Sequence, residues 1–538
     1  MGRNLGLRLL KLIPALIEVL SFLVFPACAV AATGAELIQA NCVGCHIPDG
    51  EGRLSHIANQ RKTPEGWLMT ITRMQLIHQL NINALDSADP VSEMVKHLAD
   101  AQGLAPAESQ PFRYILERRL NTIENLDDEH FAGVCSRCHT GARAALQRRN
   151  EEEWTRLIHF HLGQYPSIEY SSGGRDREWF KFALNEVVPW LTEHFPLESP
   201  AWSEWREAAK PVQTGAWRVI GTMPGRGEFA GYIEAEETAK DRYTVKFRGE
   251  FDSGEALQGE GDAIVYTGYE WRASLSLGNG EYRQVLAGSA DGATMQGRMY
   301  LLDHEETGMD LTATRIAGSR LLAVTPNRIR AGTSAQVRLS GFGLEGEITS
   351  DPGLKVISIV EQGTDGAVVE IQSDADAAPG VRTIKFGGSA LSPALTVYPK
   401  IDYIKVLPEV AMARVGGNGG SQTPVNAAFE AWGWSNGADG AANTEDDLRI
   451  GVFPATWSVH AWDEVAEKGD DVRYAGVIDP ATGVFTSPAA GPNPDRPGGV
   501  NNFGNLAVVA EVKDGETTVR GEAHLMVTVQ RWNNPPLR

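Results

Sequence analysis

Four cysteines and two histidines carry the most specific chemistry in this 538-residue chain: Cys42, Cys45 and His46 in CVGCH, and Cys135, Cys138 and His139 in CSRCH. A Cys-x-x-Cys-His string is the attachment signature of c-type haem. The spacing has a chemical reason. On a short helix, two thiols three residues apart reach the two vinyl groups of one porphyrin, and the next residue aims its imidazole at the iron. Exported proteins ordinarily spend paired cysteines on disulfides, but here a histidine follows each pair at once. A zinc knuckle gathers its four ligands, whereas these pairs stand 93 positions apart. The expectation is two covalently bound haem c groups, with His46 and His139 each the first iron ligand.

A six-coordinate cytochrome takes Met or His on the far side of the iron, and an internal repeat locates the candidates. SEMVKHLAD (92–100) matches NEVVPWLTE (185–193) at the same offset of 93 that separates Cys42 from Cys135. Between these anchors RKTPEGWLMTITRM (61–74) matches RRNEEEWTRLIHFH (148–161) at an offset of 87, so a gap opens and closes in the loops. Trp67 aligns with Trp154, and seven residues on Met74 aligns with His161. Seven residues make two helical turns, so each pair shares a face. Met74 is the expected far-side ligand of the first iron and His161 of the second. His78, one turn beyond Met74, is the best rival, while Met69 and His159 fall on other faces. Met94 and His97 belong to closing-helix packing, and His56 to an exposed loop. PFRYILERRL (111–120) reads as an amphipathic connector with a solvated arginine face.

The elements that must position these residues follow from length and pattern. A chain this long divides into three to five domains of roughly 100–150 residues. Residues 1–32 read as a signal peptide: Arg3, Arg8 and Lys11 precede an apolar run ending in Ala29-Val30-Ala31, with cleavage near Ala32 and release into the periplasm. Cys28 is the alternative, a lipid anchor, although Phe25-Pro26-Ala27 is a poor lead-in to one. No later run approaches the roughly 20 apolar residues a membrane span needs. Residues 33–212 form the expected all-α tandem dihaem cytochrome c domain, in two units of about 33–105 and 125–205. All-β domains follow: an antiparallel β-barrel over 213–318 and immunoglobulin-like β-sandwiches over 319–398 and 399–538, read from period-two alternation broken by Gly-rich turns. The formal charge of −20 argues against nucleic acid, which needs a basic footprint. The acidic loop around Asp439, Asp446 and Asp447 has the donors for Ca²⁺, an ordinary solvated turn being the plainer reading. His304, His460 and His524 are isolated in the β region with no nucleophile motif nearby.

In this order of parts the chain resembles the α subunit of the quinohaemoprotein amine dehydrogenase family. The most specific pieces are ANCVGCHIPDGEGR with RKTPEGWLMTITRM, and CSRCHTGARAALQRR with EWTRLIHFHLGQYP. The resemblance implies an oxidoreductase complex acting on primary amines, in which the large subunit relays electrons. A separate small subunit carries a cysteine tryptophylquinone, and a third, a β-propeller, completes the active site. The acceptor it implies is a soluble periplasmic copper protein or cytochrome c. One count in this chain agrees: after haem attachment and signal removal no cysteine remains to build such a quinone. Met ligation raises an iron's potential relative to His/His, so the Met74 site is the expected exit. Two alternatives are a dihaem cytochrome c peroxidase-like enzyme and a stand-alone exported cytochrome with β interaction domains.

Cys42→Ala and Cys135→Ala should each remove one covalently held haem and leave the other. Intact-protein mass counts the haems, and loss of both from either single change while the β regions still fold would contradict two separate units.

Overall fold

The computed structural model describes residues 32–529, apart from 127, 137, 170–177, 279 and 419–421. The expected signal segment, including Cys28, lies outside the described residues except for Ala32. No helix among the described residues is long and apolar enough to cross a membrane.

The N-terminal region is built from helices, with one addition the sequence pattern did not announce. Gln60–Lys62 and Gln147–Arg149 form short strands that pair antiparallel, Arg61 lying opposite Arg148. These are equivalent residues of the repeat, so the two units meet across a local two-fold relation at this strand pair. Each strand leads into a ligand helix. Pro64–His78 is capped by the Thr63 side chain, and Glu151–Gln164 by that of Asn150, again at equivalent positions. Thr and Asn oxygens accept the orphan N–H groups of a first turn, and Pro64 presets the backbone for it. Trp67 and Ile71 are buried in one helix, Trp154 and Ile158 in the other. The haem-attachment helix Gly34–Cys42 crosses the closing helix Pro90–Ala101 closely, because a Cβ at Gly34 would come within 2.3 Å of the Glu93 carbonyl oxygen. The connector differs from its expectation. Its first part is a 3₁₀ helix, Gln110–Ile115, and its arginines are ion-paired. Arg113 pairs with Glu117 of the connector itself, while Arg118, still half exposed, pairs with Glu305 and Arg119 with Asp310 of the barrel.

Two like charges set opposite in a strand pair repel, and here both are buried. Glu108 resolves this. Its carboxylate accepts a fork from Arg61 at 2.8 and 2.9 Å and a third bond from Arg148 Nε at 3.2 Å. Ser199 Oγ and the Ala105 amide fill its remaining lone pairs at 2.8 Å each.

Eight strands, from Gly215–Met223 to His304–Arg315, form an up-and-down antiparallel barrel that closes by pairing the last with the first, Thr312 opposite Ile220. In Arg242–Phe251 the alternation is direct: Tyr243, Val245 and Phe247 point in, while Thr244, Lys246 and Arg248 face out. Trp217, Phe229, Phe247, Phe251 and Trp271 fill the interior, which is a packed core. Beyond it, two four-stranded sheets share one core that includes Val337, Leu339, Ile371, Ile384 and Val397. The last region has sheets of three, four and three strands, and two short helices, Glu464–Lys468 and Asp471–Tyr474.

The barrel grips the helical region through buried polar contacts. Arg272 binds Glu65, in the first turn of the first ligand helix, at 2.6 Å, and barrel Glu270 also at 2.6 Å. Trp205 Nε1 donates to the Thr267 carbonyl at 2.9 Å, and the Thr267 amide donates to Asp100 at 2.8 Å.

Glu108→Ala leaves two buried guanidinium groups facing each other and should cost about 3–5 kcal/mol, measured by denaturant unfolding. Burial pushes the Glu108 carboxyl up, but the hydrogen bonds and charges of Arg61 and Arg148 outweigh it and bring it from 4.5 down to about 2. A depressed carboxylate stabilises the fold fully above its unfolded pKa and loses that contribution as pH falls through its folded one. Wild-type stability should therefore fall between about pH 4.5 and 2 by more than that of Glu108→Gln, compared by thermal melts.

Candidate haem-binding sites

Each Cys-x-x-Cys-His string caps a short helix. The first attachment helix ends at Cys42, and the amides of Cys45 and His46 donate back to the Cys42 carbonyl at 3.1 and 2.9 Å. That extra turn stacks His46 one turn beyond Cys42. Glu129–Cys135 supplies the second start. All four cysteines are free thiols, the first of each pair half-buried and the second exposed. Burial raises the Cys42 thiol to about 11 and the Cys135 thiol to about 12, the Cys45 charge adding to the former.

The histidines are presented in one tautomer. His46 Nδ1 lies 2.8 Å from the Ser55 carbonyl, His139 Nδ1 2.9 Å from that of Thr140, and His161 Nδ1 2.8 Å from that of Leu157. A carbonyl only accepts, so each Nδ1 carries a proton, the arrangement a histidine that binds metal through Nε2 requires. Burial lowers the pKa of His161. The His139 and His161 rings are tilted at 45° to each other with centroids 6.5 Å apart. Two imidazoles on opposite sides of one metal, with bonds of about 2 Å and about 1 Å from nitrogen to ring centre, need roughly 6 Å. These residues fit a six-coordinate haem iron.

In the first unit Met74 is half-buried, two turns beyond buried Trp67, in the position His161 holds beyond Trp154. His78 is exposed at the helix end. Met69 is 42% exposed and receives Arg143 Nη2 at 2.9 Å from the second unit, and His159 is exposed with its ring edge-on to Phe180. Met94 is buried in the closing helix, whereas His97 on the same helix is exposed. His56 corrects its expectation as a plain loop residue. Its Nδ1 lies 2.6 Å from Glu153 of the second unit, so it ties the two units together. It also lies 5.9 Å from the His46 ring. Sequence pattern missed this contact, since His56 and Glu153 are 97 positions apart.

The acidic loop behaves as a turn. Asp446 and Asp447 accept from the backbone amides of Ala438, Gly437 and Thr444. Among the described residues no group of three or more His, Cys, Asp or Glu is placed to hold a metal ion.

Comparison with known families gives four consecutive matches. Residues 32–202 match the haem-binding part of quinohemoprotein amine dehydrogenase A, alpha subunit. Residues 211–316, 318–399 and 404–537 match domains II, III and IV of the quinohemoprotein amine dehydrogenase alpha subunit. Among curated proteins nothing matches the chain. Among solved structures, a designed fluorescence-activating beta barrel shares 20% identity over 19% of this chain and 93% of its own, with a TM-score of 0.17. A Bacteroides ovatus protein of a mixed-linkage glucan utilization locus, solved with a mixed-linkage heptasaccharide, shares 12% identity over 58% of this chain and 60% of its own, with a TM-score of 0.18. Similarity that low carries no argument.

His161→Ala should convert one site from low-spin six-coordinate to high-spin in optical and electron paramagnetic resonance spectra, while the other stays low-spin. An unchanged spectrum would assign the ligand elsewhere, with His159 next in order.

Proposed function

The chain belongs to the quinohemoprotein amine dehydrogenase alpha-subunit family, and from that premise we propose that it is the dihaem electron-transfer subunit of a periplasmic, quinone-dependent amine dehydrogenase. The family places a haem-binding subunit in a multi-subunit oxidoreductase. The observation that carries the finer reading is the doubled site: two Cys-x-x-Cys-His strings, each matched to a ligand helix, with the His139 and His161 rings 6.5 Å apart in one of them. When bound, the two haems would supply one-electron transfer between a cysteine tryptophylquinone on a separate small subunit and a soluble copper protein or cytochrome c.

This chain's residues hold, orient and tune. Cys42 and Cys45 attach the first haem, and Cys135 and Cys138 the second. His46 and Met74 ligate the first iron, and His139 and His161 the second. Carbonyls of Ser55, Thr140 and Leu157 fix the imidazole tautomers. Trp67 and Trp154, 1% and 0% exposed, keep water from the ligand helices. The one difference between the sites, thioether against imidazole, sets the first at the higher potential and gives the pair a direction. The barrel and the two C-terminal regions, which we read as immunoglobulin-like sandwiches, hold the helical region and offer surface to the small subunit and a β-propeller subunit. After haem attachment and signal removal no cysteine of this chain remains to build such a quinone, so amine oxidation falls to its partners.

Met74→His should lower the midpoint potential of one site only, and His161→Met should raise that of the other, read by spectroelectrochemical titration. Amine reduction of the quinone in the purified complex should persist in both, because the variant residues do not take part in that step. If neither potential moves, the ligand assignment falls; if the native chain purifies without a quinone-bearing subunit, the assembly reading falls.

A further inference from the structure

Between the two units lies more positive charge than the chain neutralises. Lys62 and Arg149 are equivalent in the repeat, each immediately before the cap of its ligand helix. Each lies over its own unit's tryptophan, Lys62 Nζ 5.0 Å from the Trp67 ring centre and Arg149 Cζ 5.6 Å from that of Trp154. They are 3% and 4% exposed. Arg73, from the first ligand helix, sets its guanidinium 4.7 Å over Phe160, the residue at its own position in the second. The three cations are within electrostatic reach of one another. One carboxylate faces them: Glu153, 3.7 Å from Arg149, already shared with His56 and Arg156.

The donors are as unbalanced as the charges. Lys62 Nζ gives one bond to Thr70 Oγ1 at 2.7 Å, and among the described residues neither Lys62 nor Arg73 makes an ion pair. The Nε atoms of Arg73 and Arg149, and Nε1 of Trp154, are buried with no hydrogen-bond partner. By contrast, the equivalent Trp67 Nε1 donates to the Gln102 carbonyl at 3.1 Å. Buried charges persist when paired, and buried donors when bonded. This cluster therefore calls for an anion beyond those the described residues contribute.

We propose that Lys62, Arg73 and Arg149 form an anion seat between the two units that receives propionate carboxylates of the bound haems. The proposal rests on the haem reading above. The seat adjoins both sites, since Arg73 precedes Met74 on the first ligand helix and Arg149 is within electrostatic reach of His161. A porphyrin whose vinyl substituents are taken by cysteines still carries two carboxylates, and a forked guanidinium matches a carboxylate. Positive charge held there favours the reduced form of each iron, so one seat raises both potentials together.

The test uses the full chain with both haems attached. Arg149→Gln and Lys62→Met should each lower at least one midpoint potential, shifting the oxidised-to-reduced ratio at fixed potential by about tenfold, or 59 mV for one electron. Arg149→Lys, which keeps the charge, should restore most of the shift. Arg73→Gln, at a half-buried position, serves as the second variant should Arg149→Gln fail to accumulate. Oxidised-to-reduced ratios at fixed potential that stay within twofold of wild type in these variants overturn the seat and leave water or an inorganic ion as its occupant. Haem count by intact mass separates the failures: two haems with unmoved potentials sink the seat alone, whereas no covalent haem on the wild-type chain sinks the reading beneath it.

Discussion

Two arginines at the same place in two repeats are forced face to face by antiparallel strand pairing, and a single carboxylate makes that arrangement tolerable. Arg61 lies opposite Arg148 in the three-residue ladder that joins the units, both nearly sealed from water. Glu108 accepts from both and is itself fully engaged by Ser199 and the Ala105 amide. The ladder immediately precedes both ligand helices. Whatever fixes the ladder therefore fixes where both helices begin and how the two sites face one another. Few backbone bonds hold it, so the buried ion network supplies the specificity.

The barrel acts on the same helices from outside. Arg272 reaches out of the barrel wall to Glu65, in the first turn of the first ligand helix, while Trp205 and Asp100 bind the turn at Thr267. Inside, the barrel is occupied by its own tryptophans and phenylalanines. A filled barrel with polar contacts on its outer wall is a clamp. Its strands hold the helical region in place, and rigid ligand placement is what a fixed reduction potential requires.

Within the helical region, symmetry and its breaking divide the labour. Caps, buried tryptophans and buried isoleucines repeat at equivalent positions. Met74 against His161 breaks the symmetry at the proposed iron ligands. Arg73 against Phe160 breaks it between the units, where the two stack on each other. A duplicated scaffold thus presents two sites that differ chiefly in the atoms that tune them.

The attachment strings, the repeat and the shared face of Trp67 with Met74 and Trp154 with His161 were legible in the sequence because each is a local spacing on one helix or one short motif. Period-two alternation revealed the barrel for the same reason: inward and outward faces alternate along a single strand. The strand pair at Arg61 and Arg148 was not legible, since three residues carry too little pattern to announce a strand. Nor was the bond from His56 to Glu153, or the capture of the connector arginines by barrel carboxylates, because contacts between distant residues leave no periodic trace. Arg61, Lys62, Arg148 and Arg149 carry no signal in sequence beyond their places in the repeat. In the fold all four are buried, and the charges of Arg61 and Arg148 hold Glu108 ionised against the opposing push of burial. Sequence by itself determined the chemistry each unit carries; the tertiary structure decided which charges lose their water, because burial depends on what the rest of the chain places on top.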